Sequence, residues 1–60
     1  MKSSELIAKL KSEGWVHVRT ESSHWTFKHS SNRAVITVKH PQKDIPLGTL
    51  RSILKIAGMK

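Results

Sequence analysis

The residues best placed to do chemistry lie in one short stretch, Ser22-Ser23-His24-Trp25-Thr26-Phe27-Lys28-His29. Read with a period of two, Trp25 and Phe27 fall on one face, and His24, Thr26 and Lys28 on the other. The pattern predicts a half-buried strand with an aromatic underside and a polar, basic top. Among side chains, histidine has the unperturbed pKa nearest neutral pH. An imidazole held on a rigid strand beside cations can therefore take or give a proton. The same spacing also describes an exposed histidine on a basic surface, because no partner carboxylate or serine is fixed nearby.

Other chemistries find less support. His24, His29 and His40 match no helical i, i+4 ligand pair, and the chain has no cysteine to complete a metal shell. Ser22 and Ser23 adjoin His24, but neighbours on a strand point opposite ways, which argues against Ser23 as a nucleophile activated by that ring. The three glycines stand alone, so no phosphate-cradling loop is present. The expectation is no metal and no small-molecule cofactor.

The cations are better organised. Eleven Lys and Arg against four Asp and Glu give a formal charge of +7, with a pI near 10.5. A field of that sign on so small a surface favours polyanions. Nucleic acid leads as partner, ahead of an acidic protein and a membrane surface. Lys28, Arg33, Lys39, Lys43, Arg51 and Lys55 lie on segments expected to surround His24. Cations on phosphates around a histidine suit RNA cleavage, since the substrate's own 2′-hydroxyl is the nucleophile and one base with charge stabilisation can suffice. Lys28, Arg33 and Lys39 are the candidate phosphate contacts.

Three kinds of segment must position these groups. A first helix is expected from about Ser4 to Glu13, with Ser3 or Ser4 as cap, Leu6, Ile7 and Leu10 as its apolar stripe, and Gly14 closing it. Trp15 to Thr20 reads as a strand with Val16 and Val18 facing the core and His17 and Arg19 looking out. Trp15 itself is left open by alternation. Polar Glu21-Ser22-Ser23 turns the chain into the central strand, His24 to His29. Ser30 to Arg33 supplies turn formers before a third strand, Ala34 to Val38. Lys39 to Gly48 contains Pro41 and Pro46 and reads as a long loop. Thr49 then caps a second helix whose Leu50, Ile53, Leu54 and Ala57 stand at i, i+3, i+4 and i+7, with Gly58 ending it.

Neither helix is apolar all round, so both must lay one stripe on a single face of a three-stranded antiparallel sheet. That is a two-layer α+β sandwich, α-β-β-β-α, the element order of the double-stranded-RNA-binding fold. Sixty residues allow one domain, 1–60, with one small core. The longest apolar runs, such as Ala34-Val35-Ile36, are far below the roughly 20 residues needed to span a bilayer, and the N-terminus has no apolar secretory segment.

An ordered set of short features completes the reading. Glu13-Gly14-Trp15, Val18-Arg19, Ser23-His24, Phe27-Lys28-His29, His40-Pro41, Leu47-Gly48-Thr49-Leu50 and Ala57-Gly58 follow one another over nearly the whole chain. In this the sequence resembles the HicA family of small bacterial mRNA interferase toxins. The resemblance implies a double-stranded-RNA-binding-like fold, metal-independent endoribonuclease activity on mRNA, neutralisation by a HicB-type antitoxin, and a bacterial cytoplasmic location. The catalytic histidine of the family's Gly-Ser-His motif falls on His24. Two positions depart from the family pattern: Ser22 stands where glycine is usual, and Lys39 where proline is frequent. A turn needing positive φ at Ser22 would be strained. The alternative is a non-catalytic RNA-binding module of the same fold.

Overall fold

The computed structural model describes residues 1–59. Helix α1 (Ser3–Ser12) comes first, then strands β1 (Val16–Glu21), β2 (His24–His29) and β3 (Asn32–Lys39), and finally helix α2 (Leu47–Ala57). The strands form one antiparallel sheet in the order β1-β2-β3. Both helices cover the same face of it, which is the expected two-layer sandwich.

Helix α1 starts slightly before the expected position, with Lys2 as the cap residue in place of Ser3 or Ser4. The Glu5 carboxylate accepts the Lys2 amide at 3.3 Å and sets a negative charge in the first turn. Ser3 is released from capping and is buried instead. Its amide donates to the Gln42 carbonyl at 2.9 Å, its hydroxyl accepts the Gln42 amide at 2.8 Å, and the hydroxyl shares a 2.7 Å hydrogen bond with His40 Nδ1. The Ile45 amide bonds the Met1 carbonyl at 3.0 Å, and the N-terminal ammonium lies 3.3 Å from Asp44. The segment between β3 and α2 is thus fastened along the start of α1, and Ile45 drops into the core.

That core is Leu6, Ile7 and Leu10 from α1, Trp15, Phe27, Ile36 and Val38 from the sheet side, Ile45, and Ile53 from α2. Leu50, Leu54 and Ala57 pack at its margin, as the helical period of α2 requires. Helix α2 begins at Leu47 behind Pro46 rather than at Thr49. A proline preset near helical φ suits the entrance of a helix, which explains the earlier start. Gly58 closes it at φ +74°.

Strand β1 departs from the expectation. Val16 and Val18 do not face the core; they are 59% and 49% exposed. His17 pairs with Phe27 and so takes the inner face, where its ring stacks on Trp25 at 4.4 Å. Trp15 resolves inward and is buried. A β-branched residue fits either face of a pleated strand, so composition alone could not assign these valines. The register then slips between His17 and Arg19, leaving Val18 as the extra residue of a β-bulge. Past it Arg19, opposite Thr26, is on the outer face, and Thr20, opposite Trp25, is on the inner one.

Gly14 turns α1 into β1 at φ +93°, and a Cβ there would lie 2.8 Å from His29 Nε2. The ring cannot easily yield. Its Nδ1 accepts the Ser31 amide at 3.0 Å, so Nε2 carries the proton and donates to the Glu13 carbonyl at 2.9 Å. Gly14→Ala should therefore destabilise the domain by about 1–3 kcal/mol. A urea midpoint equal to that of the parent protein would count against this account of the corner.

Candidate nucleic-acid interface

The face of the sheet away from the helices carries three successive rows, set by strand register. Glu21, His24 and Lys39 form the first; Arg19, Thr26 and Thr37 the second; Val16, Lys28 and Val35 the third. Rows are about 7 Å apart along a strand and neighbours within a row about 5 Å. The expected polar top of β2 is therefore real, and it continues onto both flanking strands in the first two rows, while valines flank Lys28 in the third.

Of the expected site residues, His24 and Lys39 are cross-strand partners, and Lys28 shares their face two rows on. Arg33 is exposed but falls in the irregular stretch of β3 beyond Val35, where pairing resumes only at Asn32 with His29. It lies roughly 20 Å along the strand from Lys39. Arg51 and Lys55 do not surround His24. They ride on α2, which packs on the opposite face of the sheet. Periodicity could place them outside α2, but not on a side of the sheet.

The four histidines separate cleanly. The His17 ring shares a 2.6 Å hydrogen bond with the Thr20 hydroxyl and stacks on Trp25. His29 uses both ring nitrogens to fasten the Gly14 corner. His40 is bound to Ser3, and its ring meets Trp25 edge-on at 4.7 Å. His24 alone is exposed, and its ring makes no hydrogen bond among the described residues. Three imidazoles are engaged in hydrogen bonds within the fold, and among the described residues that of His24 is not.

Two residues on this face were not singled out from sequence. Arg19 reaches it through the bulge, and Glu21 lies opposite His24. Their side chains pair, Arg19 Nε to Glu21 Oε1 at 3.0 Å, with both largely in solvent. The expected outward setting of Arg19 holds, but by another route: His17 faces inward, and the bulge at Val18 returns Arg19 to the outer face.

His24 follows a two-residue hairpin loop, Ser22-Ser23, closed by the Glu21–His24 pair. Ser22 has φ +56°, the one positive φ on a non-glycine residue among those described. Positive φ at the first loop position favours glycine. The strain expected at this position is thus present. Ser22→Gly should raise stability by about 0.5–1 kcal/mol, the left-handed penalty outweighing the entropy glycine adds to the unfolded chain. An unchanged or lowered melting temperature would contradict that balance.

Comparison with known proteins agrees with this geometry. The family model for the HicA toxin of bacterial toxin–antitoxin systems matches residues 3–59. A solved structure of a HicA3 and HicB3 toxin–antitoxin complex contains a chain 42% identical to this one, with a TM-score of 0.83, covering 100% of this chain and 97% of that one. No curated protein matches. With the α-β-β-β-α sandwich in place, its outer face bearing His24, and the match running through essentially every element, the chain belongs to the HicA toxin family.

Proposed function

We propose that this protein is an endoribonuclease toxin whose outer sheet face binds mRNA and whose His24 cleaves it. The observation that carries the reading is the exposed, unengaged His24 ring in one row with Lys39, on the face that also presents Arg19 and Lys28. In this mechanism the neutral imidazole takes the proton of a ribose 2′-hydroxyl. The resulting oxygen attacks the adjacent phosphorus, the bond to the 5′-oxygen breaks, and that oxygen leaves as a hydroxyl after taking a proton from solvent. Lys39 stabilises the negative charge that builds on the phosphorane oxygens.

The products would be a 2′,3′-cyclic phosphate and a 5′-hydroxyl, and a 2′-deoxynucleotide at the attacked position should block the cut. No step needs a metal, so EDTA should leave the rate unchanged. Incubating the protein with one RNA and mapping both ends of the cut tests this. A 3′-hydroxyl paired with a 5′-phosphate would refute it, and RNA bound but left whole would favour the non-catalytic binding module.

Binding should be electrostatic, given the charge of +7. Each phosphate contact on single-stranded RNA should lower affinity with salt at a log–log slope of about −0.7. Affinity that stays constant from low to high salt would exclude this mode.

The HicB3 partner in the related complex supports a HicB-type antitoxin for this chain too. Charge complementarity predicts an acidic contact surface on that partner, placed over the His24 face.

A further inference from the structure

The outer face of an antiparallel sheet beside water normally alternates to polar residues, yet Val16, Val18 and Val35 stand there 59%, 49% and 47% exposed. They are not scattered. Val16 and Val35 flank Lys28 in one row, and the bulge sets Val18 beside Arg19 at the next. Together Val18, Arg19, Thr26, Lys28 and Val35 line a shallow groove. Thr26 is two residues from His24 on the same face, so the groove opens about 7 Å from the candidate catalytic ring.

Resting on the reading of this face as an RNA surface, we infer that the bulge builds a nucleotide subsite next to the cleavage position. One unpaired base lies over Val18 and Val35, and its phosphate is held by Arg19 and Lys28. Apolar contact with a base and charge-assisted bonds to its phosphate are two different demands, and this groove meets both within one nucleotide's reach. The Glu21 carboxylate takes the Arg19 Nε edge at 3.0 Å, which leaves the guanidinium's terminal nitrogens for phosphate oxygens. Lys28 stands between Val16 and Val35 in its row, where a stem laid along them would keep the ammonium at the rim. Duplex RNA cannot use such a site, because its base faces are stacked inside and only base edges, ribose and phosphate are presented. The groove therefore selects single-stranded RNA. A bulge beside a functional site that re-aims a side chain is a common device; here it delivers both Val18 and Arg19.

The test measures binding in the His24→Ala background, where RNA stays intact, with a short unstructured RNA titrated at several salt concentrations. Arg19→Ala should weaken binding about tenfold and reduce the magnitude of the salt slope by about 0.7. Val18→Ser with Val35→Ser should weaken binding about fivefold and leave the slope unchanged, because an apolar contact releases no counterion. An oligomer of the same length lacking its bases should bind the parent more weakly than RNA does, and the valine variant should discriminate less between the two. All four residues are on the surface, and circular dichroism will confirm folding. Valine variants that bind RNA as the parent does, yet bind a HicB-type partner less tightly, would overturn the subsite and assign the groove to protein docking. Equal affinity for a duplex of the same length would overturn it as well. RNA bound through the groove but never cut by the His24 protein would refute the cleavage mechanism alone and leave the subsite standing.

Discussion

Phe27→Ala should leave this protein largely unfolded at physiological temperature. Phe27 is fully buried and heads the largest such side chains of the core. It sits on the central strand between His17 and Ile36, touching both layers of the sandwich. Truncating a buried phenylalanine costs about 3–5 kcal/mol, counting lost transfer energy and the cavity left behind. Natural domains hold about 0.05–0.15 kcal/mol per residue, so a chain of this length has little more than that to lose. No cysteine is present to staple the chain. Loss of the cooperative thermal transition by circular dichroism is the expected result. A transition within a few degrees of the parent's would mean that the core is not organised around this ring.

His24→Ala is expected to do the reverse, removing cleavage and sparing the fold. The ring is exposed and makes no hydrogen bond among the described residues, so its removal should change stability by no more than about 0.5 kcal/mol. RNA affinity should hold, because the cations around it remain. The rate should fall about 10²- to 10⁴-fold, the usual worth of a positioned proton-transfer group. His29 and His40 offer a useful contrast. Both have ring nitrogens bonded into the fold, so substitutions there should lower the melting temperature before they touch chemistry. The pair of phenotypes separates a group that reacts from groups that merely hold position.

How far the sequence carried can be judged residue by residue. Leu6, Ile7 and Leu10, and Ile53 with Leu50, Leu54 and Ala57, announced their faces through helical spacing, because a helix fixes which positions meet the sheet. Phe27, Ile36 and Val38 did so through simple alternation, and the same alternation put His24 on the outer face. Strand β1 could not be read that way. Its valines satisfy strand propensity on either side, and the bulge at Val18 reverses parity within the strand, so that of His17 and Arg19, both expected outside, only Arg19 is. Ser3, His40 and Ile45 were illegible for another reason. Their placement depends on the loop after β3 folding back along α1, a contact between residues some forty positions apart that no local pattern encodes. The candidate site was legible where it rests on β2 and β3, through His24, Lys28 and Lys39. On β1 the outward setting of Arg19 was legible, but neither it nor Glu21 stood out as part of the site.

The comparison that bears most directly on the catalytic assignment uses one RNA and two proteins. Parent and His24→Ala would be followed under single-turnover conditions at equal concentration, with circular dichroism showing both folded and filter binding showing both loaded with RNA. The account predicts cleavage by the parent and a rate at least about a hundredfold lower for the variant. Equal cleavage by the two folded, RNA-bound proteins would contradict it and remove His24 from the reaction.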